Sequence, residues 1–199
     1  MFFFAAQAQA ADLTVKVNDT AGVPVPYAVV AWMPKNGADI PASLKKQSYV
    51  MAQKSVQFTP YVLAVPVGAT VNFPNMDRVN HHVYSFSPAQ PFQFPLYGKG
   101  KTHVQTFERA GTVALGCNIH DSMSAYIRVV ATPWFATTDA TGKVVLTGVP
   151  EGAGTLSVWH PAQDAPERQT VRNFSMGKGA MTQTFGIKVN RAAMPAGRS

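Results

Sequence analysis

The sequence predicts an all-β fold of packed antiparallel sheets, on three observations. Short stretches alternate apolar and polar residues, turn-forming clusters separate them at fairly even spacing, and helical periodicity is almost absent. Leu13, Val15 and Val17 alternate with polar neighbours, and the turn Asp19-Thr20-Ala21-Gly22 leads into Tyr27 to Trp32. Residues 35–60 are less regular and are expected to form a loop with a short helix. Further strands are predicted at Tyr61 to Val67, Ala69 to Phe73, His81 to Phe86, His103 to Phe107, Thr112 to Gly116 and Ala125 to Val130. Ala131-Thr132-Pro133 marks a boundary. Beyond it the pattern predicts strands at Lys143 to Leu146, Thr155 to Trp159 and Thr182 to Val189. Turns such as Pro66-Val67-Gly68, Arg109-Ala110-Gly111, Asp139-Ala140-Thr141-Gly142 and Glu151-Gly152 lie between strands. Many short strands with turns at this spacing are the mark of sandwiches and barrels. The polar segment 191–199 is expected to be a disordered tail.

At 199 residues and 46% apolar composition, the chain can bury one good core or two small ones. No apolar run reaches the 18 residues that would make a membrane-spanning helix. The opening MFFFAAQAQAAD joins a short apolar run to Ala8-Gln9-Ala10, which has the form of a leader-peptidase site. Residues 1–11 are therefore expected to be the signal-peptide remnant of an exported protein. The net charge of +7 comes from 17 basic and 10 acidic residues that are scattered along the chain. No basic block or aromatic-spaced stripe groups them, so nucleic acid is not an expected partner. A single cysteine excludes an internal disulfide. In an oxidising compartment that thiol needs burial or a metal to protect it.

The chemistry concentrates in Gly116-Cys117-Asn118-Ile119-His120-Asp121-Ser122-Met123, between two predicted strands. A loop of this length can turn a thiolate, an imidazole and a thioether toward one point. The pair His81-His82, at the start of another strand, can supply a second imidazole. Adjacent strand residues point to opposite faces, so only one of the two serves unless the strand bulges. Val83 and Ser85 share the face of His81, and Tyr84 and Phe86 that of His82. Both faces carry apolar residues, so alternation leaves the choice open. Taken singly, a buried Cys or Met is a common core filler. Two His, one Cys and a weak Met together form the set that suits one copper ion serving both oxidation states.

On these residues, the stretch 50–130 resembles the cupredoxins. The short Cys-x-x-His-x-x-Met loop is similar to that of amicyanin and tighter than that of plastocyanin. Val71-Asn72-Phe73-Pro74-Asn75 through Asp77 to His81, then Val83 to Ser85, resembles the strand that brings the first histidine in that family. Phe73-Pro74-Asn75, Cys117 to His120 and Met123-Ser124-Ala125-Tyr126-Ile127 are closer still to bacterial plastocyanin-like or methylamine-utilisation proteins. The resemblance implies a Greek-key β-sandwich with one type-1 (blue) copper site ligated by His81, Cys117, His120 and Met123. It also implies electron transfer to a redox partner such as a cytochrome or dehydrogenase, with His120 at the exposed edge as the port. The chain departs from the family where plastocyanins and amicyanins have Asn, because His82 stands there. His82 is expected to donate a hydrogen bond to the Cys117 loop in its place. The flanks, 12–34 and 131–190, resemble a carboxypeptidase regulatory-like (transthyretin-like) β-sandwich. That likeness rests on Val15-Lys16-Val17 with Asp19 and Gly22, Thr138 to Lys143, and Leu156 to Pro161. They form one discontinuous domain interrupted by the cupredoxin, or else the N-terminal strands belong to the cupredoxin itself.

Other functions fit less well. Copper trafficking or storage usually uses clustered exposed Met or His, whereas the eight Met here spread from Met1 to Met194. A multicopper oxidase or nitrite reductase needs further His-rich sites. Only His82, His103 and His160 remain, and no His-x-His occurs. No His-Glu-x-x-His motif supports a zinc peptidase. His160, in Trp159-His160-Pro161, reads as a structural cap on the strand before it. A purely structural β-protein leaves the Cys117 loop without a purpose. The expectation is therefore an electron carrier and no enzyme.

Overall fold

The computed structural model describes residues 10–194, and the regular elements among them are nearly all β-strands. In chain order they are β1 (Ala10–Asp19), β2 (Val29–Pro34), β3 (Tyr49–Val50), β4 (Ala52–Gln53), β5 (Phe58–Thr59), β6 (Val62–Pro66), β7 (Ala69–Pro74), β8 (His81–Ser85) and β9 (Phe92–Tyr97). There follow β10 (Thr102–Phe107), β11 (Gly111–Gly116), β12 (Ser124–Val130), β13 (Trp134–Thr137), β14 (Lys143–Pro150), β15 (Gly152–Trp159), β16 (Gln169–Met176) and β17 (Met181–Ile187). One short helix, α1 (Ala42–Lys45), lies in the irregular stretch before β3. The chain divides into two compact units. Among the described residues, one joins 10–38 with Trp134–Arg191, and the other is Asp39–Pro133 with 192–194.

The first unit packs a three-stranded sheet, β14-β1-β17, against a four-stranded one, β13-β2-β15-β16. Its core follows from the period of two along each strand. Leu13, Val15 and Val17 of β1 point inward with no exposed surface, while Lys16 between them points out. Val30 and Trp32 of β2, Leu156 and Val158 of β15, and Phe185 and Ile187 of β17 complete the same cluster. Trp32 meets Phe174 edge-on at 5.6 Å between ring centres. Each such side chain contributes roughly 1.5–3 kcal/mol by leaving water.

Its turns are held by carboxylates that replace missing backbone partners. Asp139 Oδ1 accepts the N–H groups of Thr141 and Lys143, and Val17 donates to the Gly142 carbonyl. Gly142 has φ +70, and a Cβ there would stand 2.4 Å from the Val17 carbonyl oxygen. Strain and clash act together, so Gly142→Ala is expected to destabilise this unit by about 2 kcal/mol or more. Urea denaturation followed by Trp fluorescence checks it, and an unchanged midpoint would contradict the packing described.

The signal-peptide remnant falls almost entirely on residues 1–9, outside the described residues, while Ala10 and Ala11 already pair with Pro150 and Val149. The tail expected to be disordered from residue 191 is ordered at its start. Arg191 Nε donates to Asp19 Oδ2 at 2.6 Å, and Nη2 donates to the carbonyls of Val23 and Pro24. A guanidinium fork that meets one carboxylate and two carbonyls anchors the chain there. Residues 195–199 lie outside the described residues.

The second unit combines a five-stranded sheet, β6-β12-β11-β8-β9, with a three-stranded one, β10-β7-β3, and the small β4-β5 hairpin. β12 runs antiparallel to β11 and parallel to β6. Phe73, Phe107, Val83, Val113, Ile127 and Val129 form the centre of its core.

The stretch 35–60, expected as a loop with a short helix, also carries the two-residue strands β3, β4 and β5, and three longer strands have no clear signature in the sequence. β9 is flanked by Pro91 and contains Pro95, which argues against a strand. It is tolerated because β9 is an edge strand and because a bulge sits there: His81 pairs with Tyr97 but Val83 with Phe94. β13 is only four residues long and half-buried throughout, and β16 buries only Met176 fully, so neither shows clean alternation.

Candidate metal centre

β8, β11 and β12 converge to build the site. Gly116, the last residue of β11, pairs with Ser124 at the start of β12 and also with Tyr84 of β8. The loop 117–123 is thus closed by the ladder at both ends, and its first residue is delivered beside the strand that carries His81. A Cβ on Gly116 would come within 2.6 Å of the Tyr84 ring, so a larger residue there would push Tyr84 aside. Within the loop, the Met123 N–H donates to the His120 carbonyl at 2.9 Å. That turn folds the loop back on itself.

His81, Cys117 and His120 come together. One ligand-capable atom from each lies within 4.8 Å of the others. Cys117 Sγ is 3.8 Å from His120 Nδ1, and the two imidazole rings are 5.0 Å apart, centre to centre. Metal bonds to nitrogen and sulfur run roughly 2.0–2.3 Å, so a single ion can reach all three donors with small adjustments. His81 is fully buried, Cys117 is 4% exposed, and His120 is half-buried at the edge. Met123, on the same loop, is 1% exposed and belongs to the core cluster that includes Cys117.

The hydrogen bonding of His81 tests whether these residues suit a metal. Its Nε2 lies 2.8 Å from Asp77 Oδ2. Its Nδ1 is buried and has no hydrogen-bond partner among the described residues. A buried imidazole nitrogen with nothing to bond is costly in a folded protein. His81 stands beside a thiol and a second imidazole, where a metal ion could give that nitrogen a partner. Two soft or borderline donor types around one point, buried in apolar surroundings, fit copper better than a hard cation.

The surrounding charges are consistent with this arrangement. Burial works to raise the Asp77 carboxyl, but hydrogen bonds from Val56, His81 and Ser55 outweigh it and hold the group below the usual carboxylate range. Tyr97 is buried beside the site and donates its O–H to the Phe73 carbonyl at 2.9 Å. Burial, with the nearby Cys117 adding to it, pushes its phenol well up, so Tyr97 stays neutral.

His82 does not do what the sequence leads one to expect. Neither of its ring nitrogens has a hydrogen-bond partner among the described residues, so it does not donate to the Cys117 loop. Its ring lies 5.6 Å from that of Tyr84, which is 5.0 Å from that of Phe86. The three form one row on the face opposite His81, as strand alternation requires. Burial lowers the pKa of His82. His160 belongs to the first unit and is fully buried at the end of β15. Its Nδ1 accepts the Ala162 N–H at 3.1 Å.

Two residues that shape the site escape a reading of ligand types alone. Asn75 Oδ1 accepts the Asp77 N–H, while its Nδ2 donates to the carbonyls of Val79 and Tyr97. Asp77 in turn holds His81. The available signal is the Asn-x-Asp spacing in a turn four residues before a histidine, where short polar side chains bond nearby backbone.

No family model matches this chain, and no curated protein matches it. Among solved structures, the Cu(I) form of one amicyanin variant matches at 21% identity with a TM-score of 0.40, covering 51% of this chain and 98% of that one. The reduced form of a second amicyanin variant matches at 22% identity with the same TM-score and coverage. A purple cupredoxin from Nitrosopumilus maritimus matches at 23% identity with a TM-score of 0.37, covering 42% of this chain and all of that one.

Proposed function

We propose that this chain is a type-1 copper protein that carries single electrons between redox partners, with His81, Cys117, His120 and Met123 as ligands. The observation that carries the reading is the gathering of His81, Cys117 and His120 around one point, with His81 Nδ1 buried and without a hydrogen-bond partner among the described residues. Copper held there supplies a one-electron Cu(I)/Cu(II) couple. Cys117 gives the soft thiolate, the two imidazoles serve both oxidation states, and the Met123 thioether is the weak fourth donor. Paired strands at both ends of the loop keep these groups in place, so little rearrangement accompanies a change of charge. His120, half-buried, is the edge through which electrons pass to a partner protein. The near-complete burial of His81, Cys117 and Met123 weighs against a trafficking or storage role, which needs exposed ligands that exchange readily. We also propose export to the periplasm, from Ala8-Gln9-Ala10, and a carboxypeptidase regulatory-like ancestry for the first unit. Fractionation of the host cell tests the former, with purely cytoplasmic recovery as the contrary result.

The ligand choice at β8 is tested by two variants. His81→Ala removes a donor and is expected to abolish or deeply perturb the visible spectrum of the copper-loaded protein. His82→Asn changes a side chain on the opposite face that makes no hydrogen bond to the loop. It is expected to keep the colour and to leave the potential nearly unchanged. A coloured His81→Ala protein beside a colourless His82→Asn protein would reverse the assignment.

A further inference from the structure

The hairpin tip between β4 and β5 is strained at a place where sequence offers no reason for strain. Lys54 and Gln57 exchange backbone hydrogen bonds, leaving Ser55 and Val56 as the two central residues of a tight turn. Both sit in the left-handed region, at φ +56 and +55. Turns of this kind favour Asn-Gly, and a β-branched residue there is unfavourable. The turn also reaches the candidate metal centre. Ser55 N–H donates to Asp77 Oδ1 at 2.6 Å, and Val56 N–H donates to Asp77 Oδ2 at 2.9 Å. Asp77 Oδ2 is the same atom that lies 2.8 Å from His81 Nε2. The left-handed backbone at 55–56 is what aims two successive N–H groups at one carboxylate.

We propose that Asp77 is the positioning residue of the centre, fixing the tautomer of His81, and that the Ser55–Val56 turn exists to hold Asp77. An ionised carboxylate only accepts hydrogen bonds, so His81 Nε2 must carry the proton. Nδ1 is then left as a bare lone pair, which is the form a metal requires. Asn75 Oδ1 holds the backbone of the same residue by accepting the Asp77 N–H. An exposed turn residue, Val56, thereby acts through Asp77 on the fully buried His81. Strained backbone at functional sites is commonly maintained in this way. The copper part of this inference rests on the proposed function, whereas the tautomer part does not.

The test starts with metal-free protein at a pH where imidazole is neutral. Long-range nitrogen–proton NMR correlations are expected to show His81 protonated at Nε2 in the natural sequence. Asp77→Asn presents a donor as well as an acceptor, so a single tautomer should give way to a mixture. Cu(II) titration of the same variant should show affinity lower by roughly 10–100-fold, the usual effect of losing a partner behind a ligand. Val56→Pro removes one N–H and cannot adopt the left-handed φ, so it should also weaken Cu(II) binding. Val56→Gly keeps the N–H, relieves the strain and should bind as the natural protein does. This second pair decides the matter if Asp77→Asn fails to fold. His81 protonated at Nδ1 in the natural protein would overturn the proposal, as would unchanged Cu(II) affinity in both Asp77→Asn and Val56→Pro. If the natural protein binds no Cu(II), the copper reading fails and the tautomer comparison alone judges Asp77.

Discussion

Cys117→Ser is expected to remove the intense visible absorption of the copper-loaded protein completely, while the metal-free chain stays folded. The absorption is assigned to charge transfer from thiolate to copper, and a hydroxyl is neither deprotonated at neutral pH nor soft enough to replace it. The side chains are nearly isosteric, so the core around position 117 stays filled. Burying a hydroxyl at a site that is 4% exposed costs about 1–2 kcal/mol, well within the stability of an ordinary domain. Absorption spectra and a thermal melt of the metal-free variant separate the two effects. A Cys117→Ser protein that keeps the band would remove Cys117 from the ligand set.

The second large effect concerns acid. Burial pushes His160 down to about 4, against the opposing pull of the nearby Pro26 carbonyl, with Arg191 adding to the fall. Its unfolded value is near 6.5. The unfolded chain therefore binds the proton more readily than the folded one. Stability attributable to neutral His160 is complete above about pH 6.5 and is lost as pH falls toward 4, by up to about 3 kcal/mol. The carboxylates with lowered pKa values, Asp19, Asp77, Asp139 and Asp164, lose their contribution only below the ordinary carboxylate value of 3.8. His82 shifts in the same direction as His160, so the natural protein alone does not isolate the effect. His160→Gln does, because the amide fills similar space without titrating. Its denaturation midpoint should fall less steeply between about pH 6.5 and 4.5 than that of the natural protein. Parallel curves would show that His160 does not govern acid sensitivity.

The candidate site is unevenly legible in sequence. The Cys117 loop stands out because three metal-binding side chains crowd seven residues between two strands, in a chain with no other cysteine. The choice between His81 and His82 is not resolved by alternation, since both faces of β8 carry apolar residues. In the structure His81, held at Nε2 by Asp77, lies with Cys117 and His120, while His82 lies in a row with Tyr84 and Phe86. Nor does the sequence announce the clamp on Asp77, because it depends on a left-handed Ser-Val turn 21 and 22 residues away. A turn of that kind is normally read from Gly or Asn. The all-β class is legible because period-two alternation in strands such as β1 and β7 is clean. β9 is not, because Pro95 reads as a breaker until the bulge opposite His81 and Val83 gives it a place.

The most direct measurement is one equivalent of Cu(II) added to the metal-free protein, with absorption and EPR spectra recorded together. Saturation at one copper per chain is expected, with an intense thiolate-to-copper band and the narrow hyperfine splitting of a strongly covalent copper–sulfur bond. A weakly coloured protein with wide hyperfine splitting, or binding that does not saturate at one equivalent, would contradict a type-1 centre at His81, Cys117, His120 and Met123.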